Sequence, residues 1–235
     1  IDYAVKMREF PADALMVDRL KQGALAPADV DALSARLAAF HEEVVRSSLN
    51  DPFGTAATIR ARIREAFEPE ASTGLSLHDR SEALREWAER EGDRLAGVMA
   101  RRKANGFVRE CHGDLHLANI ALIDGVPVPF DCIEFNADLR WGDVMGEIAF
   151  AFMDFLAFGR RDYAWRFLNG YLEQTGDYEG AVLLRLYAVY RAMVRCKVAT
   201  IRARQSAIAS RDLAEATETA ARYRALTLQL TKPST

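Results

Sequence analysis

The chain is poor in the features that would settle its class at once. It has three cysteines in 235 residues (Cys111, Cys132 and Cys196), odd in number and far apart. That usage argues against a disulfide framework and points to a reducing, cytoplasmic compartment, where disulfides are rarely kept. No apolar run approaches the roughly 20 residues needed to span a bilayer, so no membrane association is expected. The first residues, Ile1 to Met7, alternate rather than forming the apolar block of a signal peptide. Neither sign of charge dominates. The 31 basic and 34 acidic residues leave a net charge of -3, which predicts no general affinity for nucleic acid or anionic membrane. Internal repeats and low-complexity tracts are also missing. What is present is an ordinary globular composition, 50% hydrophobic and 28% charged, in a chain long enough for one large domain or two modest lobes.

Hydrophobic periodicity divides the chain. Residues 2–7 read as a strand by the alternation of Tyr3, Val5 and Met7. A helix is expected from Pro11 to about Lys21, closed by Gly23, and a second from Pro27-Ala28-Asp29 to about Val45. Ser47 to Gly54 is a break, helices follow over 55–68 and 79–103, and Pro69 to Ser76 joins them. After Gly106 the texture changes to three short strands over 107–111, 120–123 and 126–130. Asp124-Gly125 supplies a tight hairpin turn between the last two. Helices then fill about 143–158, 161–174, 179–206 and 209–230. Lys232 to Thr235 reads as a linker or tail. The chain begins at Ile1 inside a strand pattern without an initiator Met, and is expected to be an excerpt of something longer.

The most informative stretch is Cys111-His112-Gly113-Asp114-Leu115-His116-Leu117-Ala118-Asn119-Ile120 together with Val126-Pro127-Val128-Pro129-Phe130-Asp131. It sets an Asp, an Asn five residues on, and a second Asp twelve residues beyond that. Phosphoryl transfer needs little covalent chemistry from a protein. It needs an acceptor hydroxyl held in line, a group to receive its proton, and divalent metal on the phosphate oxygens. Asp114, on a loop between strands, suits the base. Asn119 and Asp131 offer hard oxygen ligands of the kind Mg²⁺ prefers. The hairpin would bring those two together at its open end. His112 is read as a brace for the loop. Zinc on Cys111, His112 and His116 is set aside, because adjacent ligands suit one tetrahedral ion poorly and no second Cys/His pair completes the set.

These residues resemble a family. His112-Gly113-Asp114-Leu115-His116-Leu117-Ala118-Asn119 looks like the Brenner-type motif of the aminoglycoside phosphotransferase and choline kinase-like group, which shares the protein-kinase fold. The resemblance implies Asp114 as catalytic base, Asn119 as a magnesium ligand, and Asp131 as the metal-binding aspartate at a strand end, although the usual following Gly is absent. Glu134 could add a further carboxylate. Tyr3-Ala4-Val5-Lys6-Met7 resembles the small-lobe strand whose Lys contacts the ATP phosphates. Lys6 is therefore the cofactor-binding candidate, with Asp18 or Asp13 as its acidic partner. Asp143, in Arg140-Trp141-Gly142-Asp143-Val144-Met145-Gly146-Glu147, is expected to cap a helix. The likeness is strongest to bacterial chains fused to a C-terminal P-loop ATP-binding domain.

The expected fold class is α+β and protein-kinase-like, with a truncated small lobe and a mostly helical large lobe. Residues 1–45 would be a small-lobe remnant and connection, and 46–231 the large lobe carrying the catalytic β insert at 107–131. The implied activity is transfer of the ATP γ-phosphate to a hydroxyl of an unidentified small molecule, with ATP and Mg²⁺ as cofactors. No Gly-rich phosphate loop is present, which leaves a catalytically idle kinase-like ligand-binding or regulatory module as the rival. Nucleotidyl transfer is a third option. One further feature is a run from Arg185 to Arg211 with seven basic residues and no acid. Arg191, Arg195 and Arg202 share a helical face. It is either a solvated face, or Arg191 or Arg195 turns back toward the cleft to meet an anionic substrate or a neighbouring acidic helix.

Overall fold

The computed structural model describes residues 10, 11, 13–67, 78–205 and 209–232. The expected strand at 2–7, Lys6 and the joining loop Pro69–Ser76 therefore lie outside the described residues. The element order is α1 (Met16–Lys21), α2 (Pro27–Glu43), α3 (Ala56–Phe67), α4 (His78–Ala104), β1 (Val108–Glu110), β2 (Ile120–Ile123), β3 (Val126–Pro129), α5 (Ala137–Arg140), β4 (Trp141–Asp143), α6 (Val144–Ala157), α7 (Arg161–Thr175), α8 (Ala181–Arg202) and α9 (Ser210–Leu230).

The helix bounds follow local chemistry. Pro27 occupies the first turn of α2, where its missing N–H is not needed, and Asp29 accepts the Ala26 N–H at 2.8 Å. Gly176, at φ 68°, closes α7 in the left-handed conformation that glycine adopts without strain. The first helix is shorter than its sequence suggests. It begins at Met16, because the Ala14 carbonyl accepts the Leu122 N–H at 2.7 Å and Leu15 bridges Ala121. That backbone is spent on the edge of β2 and stays extended.

Strand pairing produces two antiparallel ribbons. β2 and β3 pair from Ile120 with Pro129 to Ile123 with Val126. Asp124 and Gly125 both have positive φ, 51° and 79°, the backbone that a two-residue hairpin turn demands. β1 pairs instead with β4, Arg109 opposite Gly142. The sequence pattern gave no strand at 141–143. Three residues are too few for alternation to register.

Helix α6 is the axis of the molecule, with Val144 through Phe155 all buried. A helix apolar on every side belongs inside the core. Met145, Ile148, Phe150 and Phe155 are almost wholly hidden, each contributing about 1.5–3 kcal/mol of burial. The same apolar cluster takes in Met16 and Leu20 of α1, Leu33 and Leu37 of α2, Phe167 and Tyr171 of α7, and Leu183 and Val189 of α8. Asp143 caps α6 as expected, accepting the Met145 N–H at 2.9 Å. Among the described residues, no helix is long and apolar enough to cross a membrane.

Candidate active site

The loop from Cys111 to Asn119 joins the two ribbons, and α6 fixes it from below. Two acids interrupt the apolar helix, Glu147 and Asp154, seven residues apart and so on one face. Glu147 accepts the Gly113 N–H at 2.9 Å and Asp154 accepts the Leu117 N–H at 2.9 Å. Buried carboxylates are costly unless fully bonded, and here each has a second partner. Glu147 lies 2.7 Å from His41 Nε2, whose Nδ1 meets the Tyr171 hydroxyl at 2.9 Å, and Tyr223 donates its hydroxyl to Asp154. Burial pushes the Glu147 carboxyl up, but the hydrogen bond and charge of His41, with the Gly113 N–H, hold it below the usual range. Gly113 is required at its position. It has φ +87°, and a Cβ there would come within 3.0 Å of the Leu139 carbonyl.

His112 braces the loop. Its Nε2 lies 2.8 Å from the Phe130 carbonyl, and its own carbonyl accepts the Ile133 N–H at 3.0 Å. This stitches the segment carrying Asp114 to the one carrying Asp131. Asn119 adds a second stitch. Its amide nitrogen donates to the Asp114 backbone carbonyl at 3.0 Å and to Asp114 Oδ2 at 3.1 Å, while its backbone carbonyl accepts the Phe130 N–H at 3.0 Å. Both side-chain contacts are to acceptors, so nitrogen must face them and Oδ1 is left over. The open end of the hairpin thus sets Asn119 against Phe130, one residue short of the Asp131 that the spacing argument paired with it. Asp131 is the next residue, exposed, with φ 60°. It sits where the ribbon turns away and lines a cavity of about 430 Å³ between α2 and this turn, with Leu37, Phe40 and Leu115.

Asp114 itself is part-buried, with His116 Nε2 3.4 Å from Oδ2. Burial raises its carboxyl, but the His116 hydrogen bond and charge, with Arg195 and Arg191 beyond, hold it below the ordinary aspartate range. It is a carboxylate at neutral pH, able to accept a proton. Glu134 is exposed, its backbone carbonyl receiving Arg140. Asp18 lies 3.8 Å from Lys21. The buried trio of His41, Cys111 and Glu147 has ligand atoms within 4.8 Å of one another. His41 and Glu147 are already spent on the hydrogen bonds above, which argues against a metal there. Arg191 does turn inward. Its Nη1 donates to the Gly113 carbonyl at 3.1 Å and its Nε to the Gly146 carbonyl at 3.2 Å.

Sequence reasoning did not single out Glu147, Asp154, His41 or Tyr171. A signal was available: two acids at a seven-residue interval in an otherwise apolar helix must each find a buried donor.

No family model matches the chain. Curated relatives include uncharacterized proteins from Mycobacterium bovis and Mycobacterium tuberculosis. Each is 30% identical over 201 residues, which cover 84% of this chain and 40% of theirs. The chain thus spans well under half their length. Among solved structures, an amicoumacin kinase in complex with AMP-PNP and Ca²⁺ superposes with a TM-score of 0.53 at 15% identity, covering 88% of this chain and 61% of that one. A Plasmodium vivax ethanolamine kinase gives 0.51 at 14%, covering 86% and 60%. Identities this low carry the architecture alone. The chain has a protein-kinase-like α+β fold.

Proposed function

We propose that this chain carries an ATP-dependent phosphotransferase that moves the γ-phosphate to a hydroxyl of a small molecule. The observation that supports it most is the junction at the open end of the β2–β3 hairpin. There Asn119 bonds the Asp114 carboxylate and, through its backbone, the residue before Asp131. In this reading an Asp114 oxygen takes the proton from the acceptor hydroxyl. The acceptor oxygen bonds to the γ-phosphorus, and the bond from that phosphorus to the bridging oxygen breaks to leave ADP.

The donor set fits Mg²⁺. Asn119 Oδ1 is left over by the bonding of its amide nitrogen, and Asp131 is an exposed carboxylate with no ion-pair partner among the described residues. When bound, the ion would neutralise charge on the phosphate oxygens. His116 and Asn119 hold the Asp114 carboxylate in orientation. Lys6 keeps its expected role as phosphate contact, and Lys6→Ala is expected to raise the KM for ATP. The resemblance also implies a fused P-loop ATP-binding domain, for which the length of the relatives leaves room.

The test is made on the full-length protein. Asp114→Ala should cut kcat by roughly a thousandfold while binding of Mg²⁺–AMP-PNP stays near that of the parent. Asp131→Ala should instead weaken that binding about tenfold or more. Turnover retained in the Asp114 variant would sink the base assignment.

A further inference from the structure

A second polar centre lies beside the loop, and two of its buried polar atoms lack hydrogen-bond partners among the described residues. Arg62 of α3, Tyr187 and Arg191 of α8, and Gly142 and Gly146 around the start of α6 line a cavity of about 30 Å³. That is room for roughly two water-sized groups, enough to seat two oxygens of a carboxylate or of a phosphate at the cavity. Tyr187 is 4% exposed, and its hydroxyl has no hydrogen-bond partner among the described residues. Arg62 Nη2 is likewise buried with no hydrogen bond among them. Its nearby carboxylate, on the exposed residue Asp138, stands 3.7 Å off.

The electrostatics lean one way. Burial pulls the Arg62 guanidinium below the usual arginine range, and the repulsion from Arg191 adds to that, against the attraction of Asp138. The acid on the wall, Asp143, is taken by Arg102 through two bonds of 2.8 Å. Arg191 is held by two backbone carbonyls and by the faces of Phe150 and Tyr190, with no carboxylate within 4.0 Å among the described residues. Arg62 Nη1 donates to the Trp141 carbonyl at 3.4 Å, while Arg62 Nη2 and the Tyr187 hydroxyl, on the same cavity, have no hydrogen-bond partner among the described residues. Orphaned buried donors cost about 1–3 kcal/mol each if nothing fills them.

The cavity also touches the catalytic loop. Arg191 lines it, and the same guanidinium holds the carbonyl of Gly113, the residue before Asp114. We propose that this cavity anchors an anionic group, a carboxylate or a phosphate, carried by the same small molecule whose hydroxyl faces Asp114. The inference rests on the phosphotransferase reading and deepens it, because it names the acceptor class as anionic hydroxyl compounds.

The experiment uses the full-length protein carrying Asp114→Asn and loaded with Mg²⁺–AMP-PNP, so that binding is read without turnover. Glycerate, glycerol 3-phosphate and glycerol are titrated calorimetrically. At least one of the two anions should bind tenfold or more tighter than glycerol, and the arm that wins identifies carboxylate or phosphate. Arg62→Gln and Tyr187→Phe should each weaken that anion at least fivefold. Tyr187→Phe removes only an unpartnered hydroxyl, so its thermal midpoint should hold even if Arg62→Gln folds poorly. Equal affinity for glycerol, no anion binding, anion binding untouched by Tyr187→Phe, or anion binding only without nucleotide would each overturn the proposal. ADP release by the parent protein separates the two ideas. Anion binding without ADP release counts against the phosphotransferase and leaves the subsite. Turnover of glycerol alone does the reverse.

Discussion

Two buried arginine centres differ in how completely their charge is met. Arg102 of α4 is fully buried, and its guanidinium donates to both oxygens of Asp143 and to both of Asp177, with the Phe107 ring 4.2 Å away. Burial alone would lower its pKa, but two bidentate carboxylates push it above the usual arginine range. Arg62 of α3 is buried at its tip and faces another guanidinium, with one carboxylate at 3.7 Å. A closed set of partners is architecture: it joins α4, the cap of α6 and the turn before α8. An open set of donors around a space is the form of a receiving site. Saturation separates the two roles better than burial does.

That contrast can be broken by measurement. The largest effect should come from Arg102→Met, which strands two carboxylates in the interior and is expected to cost about 3–5 kcal/mol of unfolding free energy. Chemical denaturation reads it directly, and a loss under about 1 kcal/mol would erase the distinction. Next is Glu147→Gln, expected to cost about 1–3 kcal/mol because the Gly113 and His41 contacts lose a charged acceptor. Its pH dependence has a defined sign. The folded Glu147 pKa lies below the unfolded value, so its stabilisation is complete above about pH 4.3. It is lost as pH falls through the lower folded pKa. Thermal melts should show the parent losing its advantage over Glu147→Gln in that acid window. Smallest is Arg62→Gln, expected to change ligand-free stability by under about 0.5 kcal/mol. A cost near that of Arg102→Met would make Arg62 architectural as well.

Much of the site was legible because its determinants are local. Asp124-Gly125 dictates a hairpin, a hairpin of equal strands dictates what meets at its open end, and so Asn119 and the Phe130–Asp131 turn could be placed together. Helix starts at Pro27 and Asp143 were readable for the same reason. The basic run on α8 was only half readable. Periodicity put Arg191 on a face with Arg195, but it could not say that Arg191 would bond the carbonyls of Gly113 and Gly146 while Arg185 bonds those of Leu230 and Lys232. The strand at 141–143 escaped because it exists only through its partner β1, and the start of α1 moved because β2 claims the backbone of residues 14 and 15.

By itself the sequence determined the order of the longer helices, the hairpin, and the three oxygen-bearing residues around it. These depend on neighbours within about a dozen positions. The tertiary structure alone decided which buried charges are matched. His41 reaches Glu147 across 106 residues, Arg102 reaches Asp177 across 75, and Arg191 reaches Gly113 across 78. A carboxylate or guanidinium carries its charge in any sequence. Whether that charge is satisfied depends on which distant groups the packed core brings within hydrogen-bonding range.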